Sequence, residues 1–154
     1  MPYELDDLDR EILRLLQQDS QLSAKQLAAR LHRSPNPIYV RVKRLQDEGY
    51  IKGYTIILDH KKVGLNLIAY TQVRIKPHSK ENLSAFSREV VKLKEVVECA
   101  HLTGNFDFLL KIAVKDMDEY NHVLMDKLGQ LPKVGHLESL FVLSEAKTGN
   151  CFSF

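Results

Sequence analysis

The chain has 154 residues, 44% hydrophobic and 27% charged, with seven Gly, five Pro and a formal net charge of +2. This is the make-up of an ordinary soluble globular protein with one domain or two small ones. No apolar run reaches the length of a membrane span. The acidic stretch from Met1 to Glu11 is unlike a signal peptide, so a cytoplasmic location is expected. Cys99 and Cys151 lack the close pairing of a zinc knuckle or redox motif. A reduced chain is the plainer reading, with a Cys99–Cys151 disulfide left open.

Leu8, Ile12, Leu15 and Leu16 recur at helical spacing and predict a first helix, capped by Asp6 or Asp7. Ser23 and Gln26 form a capping box for a second, with Leu22 and Leu27 able to staple across it. Ser34 as N-cap and Pro35 at the first helical position open a third, which Gly49 closes. Pro37 still lies in the first turn, where a missing N–H loses no intrahelical bond. Ile38, Val42 and Leu45 should face a core, while Asn36, Val40, Lys43, Arg44 and Asp47 point away and Tyr39 and Arg41 flank them. Two short helices this close read as a helix-turn-helix, a motif that lays its second helix in a DNA groove. Tyr50–Lys52 and Tyr54–Leu58 read as short extended segments around Gly53, forming a wing or a hinge strand.

Charge supports this reading. Residues 1–24 hold two Arg against six acids, residues 30–62 eight Lys or Arg against three acids, and the chain from Leu65 eleven of each. A basic band confined to one motif suits a polyanion better than a uniformly basic surface would. Ser34, Asn36, Tyr39, Val40, Arg41, Lys43 and Arg44 form the candidate DNA surface. Asn36, Tyr39 and Lys43 are candidates for base edges, Arg41 and Arg44 for phosphates. Arg30, Arg33 and Lys52 supply backbone charge.

Asp59–Gly64 breaks the pattern, and a short hinge is expected over 59–66 between a DNA-binding domain at 1–58 and a second domain at 67–154. Within the second, Leu67–Ile75 alternates as a strand. Leu83, Phe86, Val90 and Leu93 mark a helix. Val96–Leu102 and Phe106–Val114 form a hairpin through Thr103-Gly104-Asn105. Met117, Tyr120, Leu124 and Leu128 mark another helix, and Val134–Leu143 a last strand. The order βαββαβ predicts a ferredoxin-like α+β fold with both helices on one sheet face. The other face is expected to be apolar enough to pair with a second subunit.

Signatures of catalysis are absent: no phosphate-cradling glycine loop, nucleophile elbow or zinc-peptidase helix occurs. The six histidines have no metal-ligand spacing, although His101 and His136 could lie close together. No catalytic residue, metal or cofactor is expected.

Several ordered segments carry a family resemblance. They are Leu8-Asp9-Arg10-Glu11-Ile12-Leu13, Ser34-Pro35-Asn36-Pro37, Arg41-Val42-Lys43-Arg44-Leu45 and Gly49-Tyr50-Ile51-Lys52-Gly53-Tyr54. Val63-Gly64-Leu65 and Thr103-Gly104-Asn105-Phe106-Asp107-Phe108-Leu109-Leu110 complete the set. Together they resemble the Lrp/AsnC (leucine-responsive, feast/famine) transcription regulators over nearly the whole chain. Gln46, where the family often has Glu, and the tail Cys151-Phe152-Ser153-Phe154 depart from the pattern. The resemblance implies a winged helix-turn-helix joined to a ferredoxin-like (RAM-type) domain, dimers assembling to octamers, and double-stranded DNA as partner. It also implies an amino acid as effector, held at Thr103, Gly104, Asn105, Phe106 and Asp107, where an acceptor and exposed N–H donors could meet its two charges. Two other readings share the layout: a siroheme decarboxylase-like enzyme, against which the basic band argues, and an architectural DNA-binding protein.

Overall fold

The computed structural model describes residues 3–147 and 152–154, so Cys151 and any bond it makes lie outside the described residues. The chain divides into two compact units, one built on the residues up to Ile57 and the other on Leu58–Ala146. Phe152–Phe154, expected with the second domain, fold with the first.

The first unit is three helices: α1 (Asp7–Gln18), α2 (Ala24–Arg30) and α3 (Pro35–Asp47). Asp6 caps α1 in a reciprocal box with Asp9, and Ser23 caps α2 in the expected box with Gln26. Ile12, Leu16, Leu22, Leu27, Ala28, Ile38 and Leu45 are buried in one cluster, with Val42 and Ile51 packed against it. Each fully buried Leu or Ile contributes on the order of 1.5–3 kcal/mol, enough to hold short helices that would not persist alone. The α2–α3 turn is closed by the Arg33 N–H donating to the Ala28 carbonyl at 2.9 Å. His32 adopts a left-handed φ of 53° there, a conformation His tolerates better than most residues. Gly49, at φ 76°, ends α3 as expected. Tyr50–Lys52 and Tyr54–Leu58, expected as short strands, pair with no strand among the described residues.

The second unit opens on a tight turn. The Asp59 side chain accepts from the Lys61 N–H at 3.1 Å, and His60 Nδ1 lies 2.6 Å from the Leu65 carbonyl oxygen. Then follow β1 (Leu67–Ile75), α4 (Lys80–Val90), β2 (Val96–His101), β3 (Phe108–Val114), α5 (Met117–His122) and β4 (Val134–Phe141). The sheet order β2-β3-β1-β4 is antiparallel throughout, as the ferredoxin-like reading requires. The expected second helix is composite: α5 passes into a π turn at Val123–Lys127 and a 3₁₀ turn at Leu128–Gln130. Lys127, on the π turn, donates to the buried Glu95 at 2.7 Å. Burial disfavours the charged Glu95, yet Lys127 and backbone donors hold its carboxyl below the ordinary range.

Ala69, Val73, Phe108, Leu110 and Ile112 alternate toward Phe86, Val90, Tyr120, Val123 and Leu128 in one core. Cys99 packs against it, and burial pushes its thiol up. The opposite face is more polar than expected. Register aligns Tyr70 with Lys111 and Leu140, Gln72 with Leu109 and Glu138, and Arg74 with His136. His101 and His136 sit on β2 and β4, the two edges of the sheet, and are not brought together.

Inside the core, the Tyr120 hydroxyl bridges Thr71 Oγ1 at 2.8 Å and Ser139 Oγ. Tyr120→Phe leaves the fully buried Thr71 hydroxyl unmatched and should cost about 1–2 kcal/mol. Urea denaturation should show this as a lower midpoint with an unchanged slope.

Candidate nucleic-acid interface and effector loop

The outer face of α3 is set by what its inner face buries. Ile38 and Leu45 have no exposed surface, whereas Ser34, Asn36, Tyr39, Val40, Lys43 and Arg44 are all exposed. Ser34 occupies the N-cap position, but its side chain makes no capping bond. The reason is local: the third helical residue is Pro37, which has no N–H to offer. The Ser34 hydroxyl and the first-turn Asn36 N–H are thus available at the positive end of the helix.

Arg41 departs from the expected pattern. Its guanidinium turns inward onto α1, 2.6 Å from Asp6 Oδ2 and 2.8 Å from Asp9 Oδ1. Asp9 is completely buried; its other oxygen accepts from the Tyr3 hydroxyl and from the Asp6 N–H at 3.2 Å. The bonds to Asp9 and then Asp6 raise the Arg41 pKa further, and the bond to Asp9 raises that of Tyr3. The Asp9 N–H, and then Arg41, hold the Asp6 carboxyl below its ordinary value. Arg44 stacks over the Tyr3 ring with 4.9 Å to its centroid. The Tyr50 hydroxyl donates to the Tyr3 carbonyl at 2.5 Å, so the segment before α1 and the end of α3 are tied together. The sequence offers Asp6 only as one of two candidate caps; the pairing of Asp9 with Arg41 spans 32 residues and leaves no local signal.

The expected tight hairpin between β2 and β3 is a six-residue loop, Leu102–Asp107, closed by the Leu102 N–H donating to the Asp107 carbonyl at 2.8 Å. Gly104 takes a φ of 113° there, which favours glycine. Thr103, Gly104 and Asn105 are exposed and Phe106 is half-buried. Asp107 is buried: its Oδ2 accepts from the Ile75 N–H at 2.6 Å, and its Oδ1 lies 2.8 Å from His78 Nδ1. Arg74 donates to the Asn105 carbonyl at 2.6 Å and lies 5.3 Å from the Phe106 ring centroid, and His136 stacks on the same ring. Beside Asp107's partner His78 opens a cleft of about 570 Å³, lined by Lys80, Leu83, Ser84, Ser87, Arg88, His101 and Phe108. None of these lining residues was expected from sequence, because α4 and β2 meet only in the folded unit.

The arrangement is that of a helix-turn-helix head followed by a ferredoxin-like unit with a cleft beside its β2–β3 loop. Two family models match: "Winged helix-turn-helix DNA-binding" over residues 5–52 and "Lrp/AsnC ligand binding domain" over residues 68–150. The chain is 38% identical over 144 residues to a proline dehydrogenase transcriptional activator of Rhizobium radiobacter, covering 94% of this chain and 92% of that one. It is 35% identical to the leucine-responsive regulatory protein of Escherichia coli K12, covering 96% and 90%. A Neisseria meningitidis transcriptional regulator solved in complex with L-Met superposes with a TM-score of 0.92 at 34% identity, covering 97% of both chains. Escherichia coli AsnC superposes with a TM-score of 0.88 at 27% identity, covering 97% of this chain and 99% of that one. This chain belongs to the Lrp/AsnC family and is a DNA-binding transcriptional regulator.

The Asp6 shift gives a signed test. Its folded pKa lies below the unfolded one, so its stabilisation is complete above the ordinary carboxylate range and is lost as pH falls through the depressed value. Asp6 is largely exposed, which keeps the effect small. Between pH 6 and pH 3, wild type should lose more head stability than Asp6→Asn, read by helical circular dichroism during thermal melts.

Proposed function

We propose that the regulator grips double-stranded DNA through Ser34, Asn36, Tyr39, Val40, Lys43 and Arg44, with Arg41 aiming α3 rather than touching phosphate. The observation that carries this reading is the one-sided burial of α3, which leaves that whole surface outward while Arg41 is occupied by Asp6 and Asp9. Asn36, Tyr39 and Lys43 are suited to base edges, and Arg44 with the Ser34 hydroxyl to phosphates. Lys43→Ala with Arg44→Ala should weaken operator binding at least about tenfold at 150 mM salt and flatten the salt dependence. An unchanged gel-shift titration would overturn this orientation of α3.

The effector in this reading is an amino acid, taken at the Leu102–Asp107 loop and the adjoining cleft. The relatives support it by name: one is leucine-responsive, and one solved neighbour holds L-Met. The chemistry supports it too. Lys80 and Arg88 suit a carboxylate, Leu83 and Phe108 an apolar side chain, and the loop carbonyls an ammonium. Asp107 already serves the Ile75 N–H and His78, so its first duty is to hold the loop. Arg88→Gln should abolish the rise in melting temperature caused by leucine or methionine while leaving the ligand-free melt unchanged. Asp107→Ala should lower the ligand-free melt itself, since it strips a buried N–H of its acceptor. A full ligand response in Arg88→Gln would move the carboxylate elsewhere.

Assembly into dimers and then octamers belongs to the same proposal. Ile56 and Ile57, in the segment after Gly53 that pairs with no strand among the described residues, are 75% and 86% exposed, and Leu58 is 60% exposed. Exposed apolar side chains on such a segment suit a partner surface from a second copy. Two-fold pairing would set two α3 helices about 34 Å apart or at a multiple of it, which favours near-palindromic operators.

A further inference from the structure

The departure at the C-terminal tail has a physical use. Phe152 presents both its backbone groups to one side chain: its N–H donates to Gln17 Oε1 at 2.7 Å, and its carbonyl accepts from Gln17 Nε2 at 3.1 Å. A carboxamide bonded in this way acts as a neighbouring strand acts, reading extended backbone whatever the side chain. One turn earlier on α1, Arg14 donates to the Phe154 carbonyl oxygen and lies 5.7 Å from the Phe154 ring centroid. Residues three apart on a helix share a face, so Arg14 and Gln17 form one clasp. Phe152 and Phe154 line the same cleft as Leu13, Ile51, Tyr54 and Ile56, in the segment that follows α3. Phe154 is the better covered of the two aromatics, 40% exposed against 76% for Phe152.

We propose that Arg14 and Gln17 make a peptide-docking site on the DNA-binding head, and that its occupant is the Phe152-Ser153-Phe154 segment of the same chain. Gln17 fixes the backbone, and Arg14 selects an aromatic two residues later. The clasp lies on α1 and engages neither Lys43 nor Arg44 of α3, so it holds the tail without covering the head's DNA surface.

Hydrogen exchange followed by mass spectrometry on the full-length protein tests this. In wild type the Phe152 amide should exchange about tenfold more slowly than in Gln17→Ala. Gln17→Glu keeps an acceptor for that N–H and should retain part of the protection. Arg14→Ala should lose protection at Phe152 while residues 59–146 exchange as in wild type. Equal Phe152 exchange in wild type and Gln17→Ala would overturn the proposal. Protection that disappears on dilution would also overturn it, because the occupant would then be the tail of a second copy.

Discussion

The Asp9 carboxylate, fully buried, binds the Arg41 guanidinium, the Tyr3 hydroxyl and the Asp6 N–H at once. A buried charge is tolerated only when its lone pairs are met, and each donor here comes from a different part of the head. Arg41 ties α3 to α1, Tyr3 ties the preceding segment, and Asp6 completes the cap. Rotating α3 about its axis would strand this carboxylate and expose Ile38 and Leu45 together. The outward face of α3 therefore has one arrangement, with Lys43 and Arg44 on it.

The ligand-binding unit solves a similar problem with Asp107. Its carboxyl accepts the Ile75 N–H where the β1–β4 register shifts, and so meets a donor that the irregular ladder leaves over. The same residue anchors His78 at the entrance to the cleft. One side chain thus joins the loop after β2, the end of β1 and the segment leading into α4. A ligand seated there would bear on three elements rather than on a free turn, which is what a binding event needs if it is to favour one conformation over another.

Charge is distributed to match. Asp6 and Asp9 hold Arg41, while Lys43 and Arg44 make no ion pair among the described residues. The open sheet face, by contrast, mixes Lys111, Glu98 and Arg74 with Tyr70, Leu109 and Leu140. Such a surface resembles a partly wet protein interface more than an exposed core. Among the described residues, the longest run of exposed large apolar side chains is instead Ile56–Leu58.

Local pattern carried most of the architecture. Capping residues, proline placement and apolar periodicity marked all three helices of the head and the βαββαβ order, because each is an interaction between residues a few positions apart. The outward set on α3 was legible for the same reason, since helical phase alone assigns Ile38 and Leu45 inward. What sequence could not decide were contacts closed by folding over long separations. Arg41, expected at phosphate, lies against Asp6 and Asp9, and Asp107, expected at a ligand, accepts from the Ile75 N–H. His101 and His136 were parted by strand order, and the tail joined the head rather than the unit from which it emerges. In each case the side chain had two plausible partners, and only the packing of distant elements determined which stood within hydrogen-bond reach.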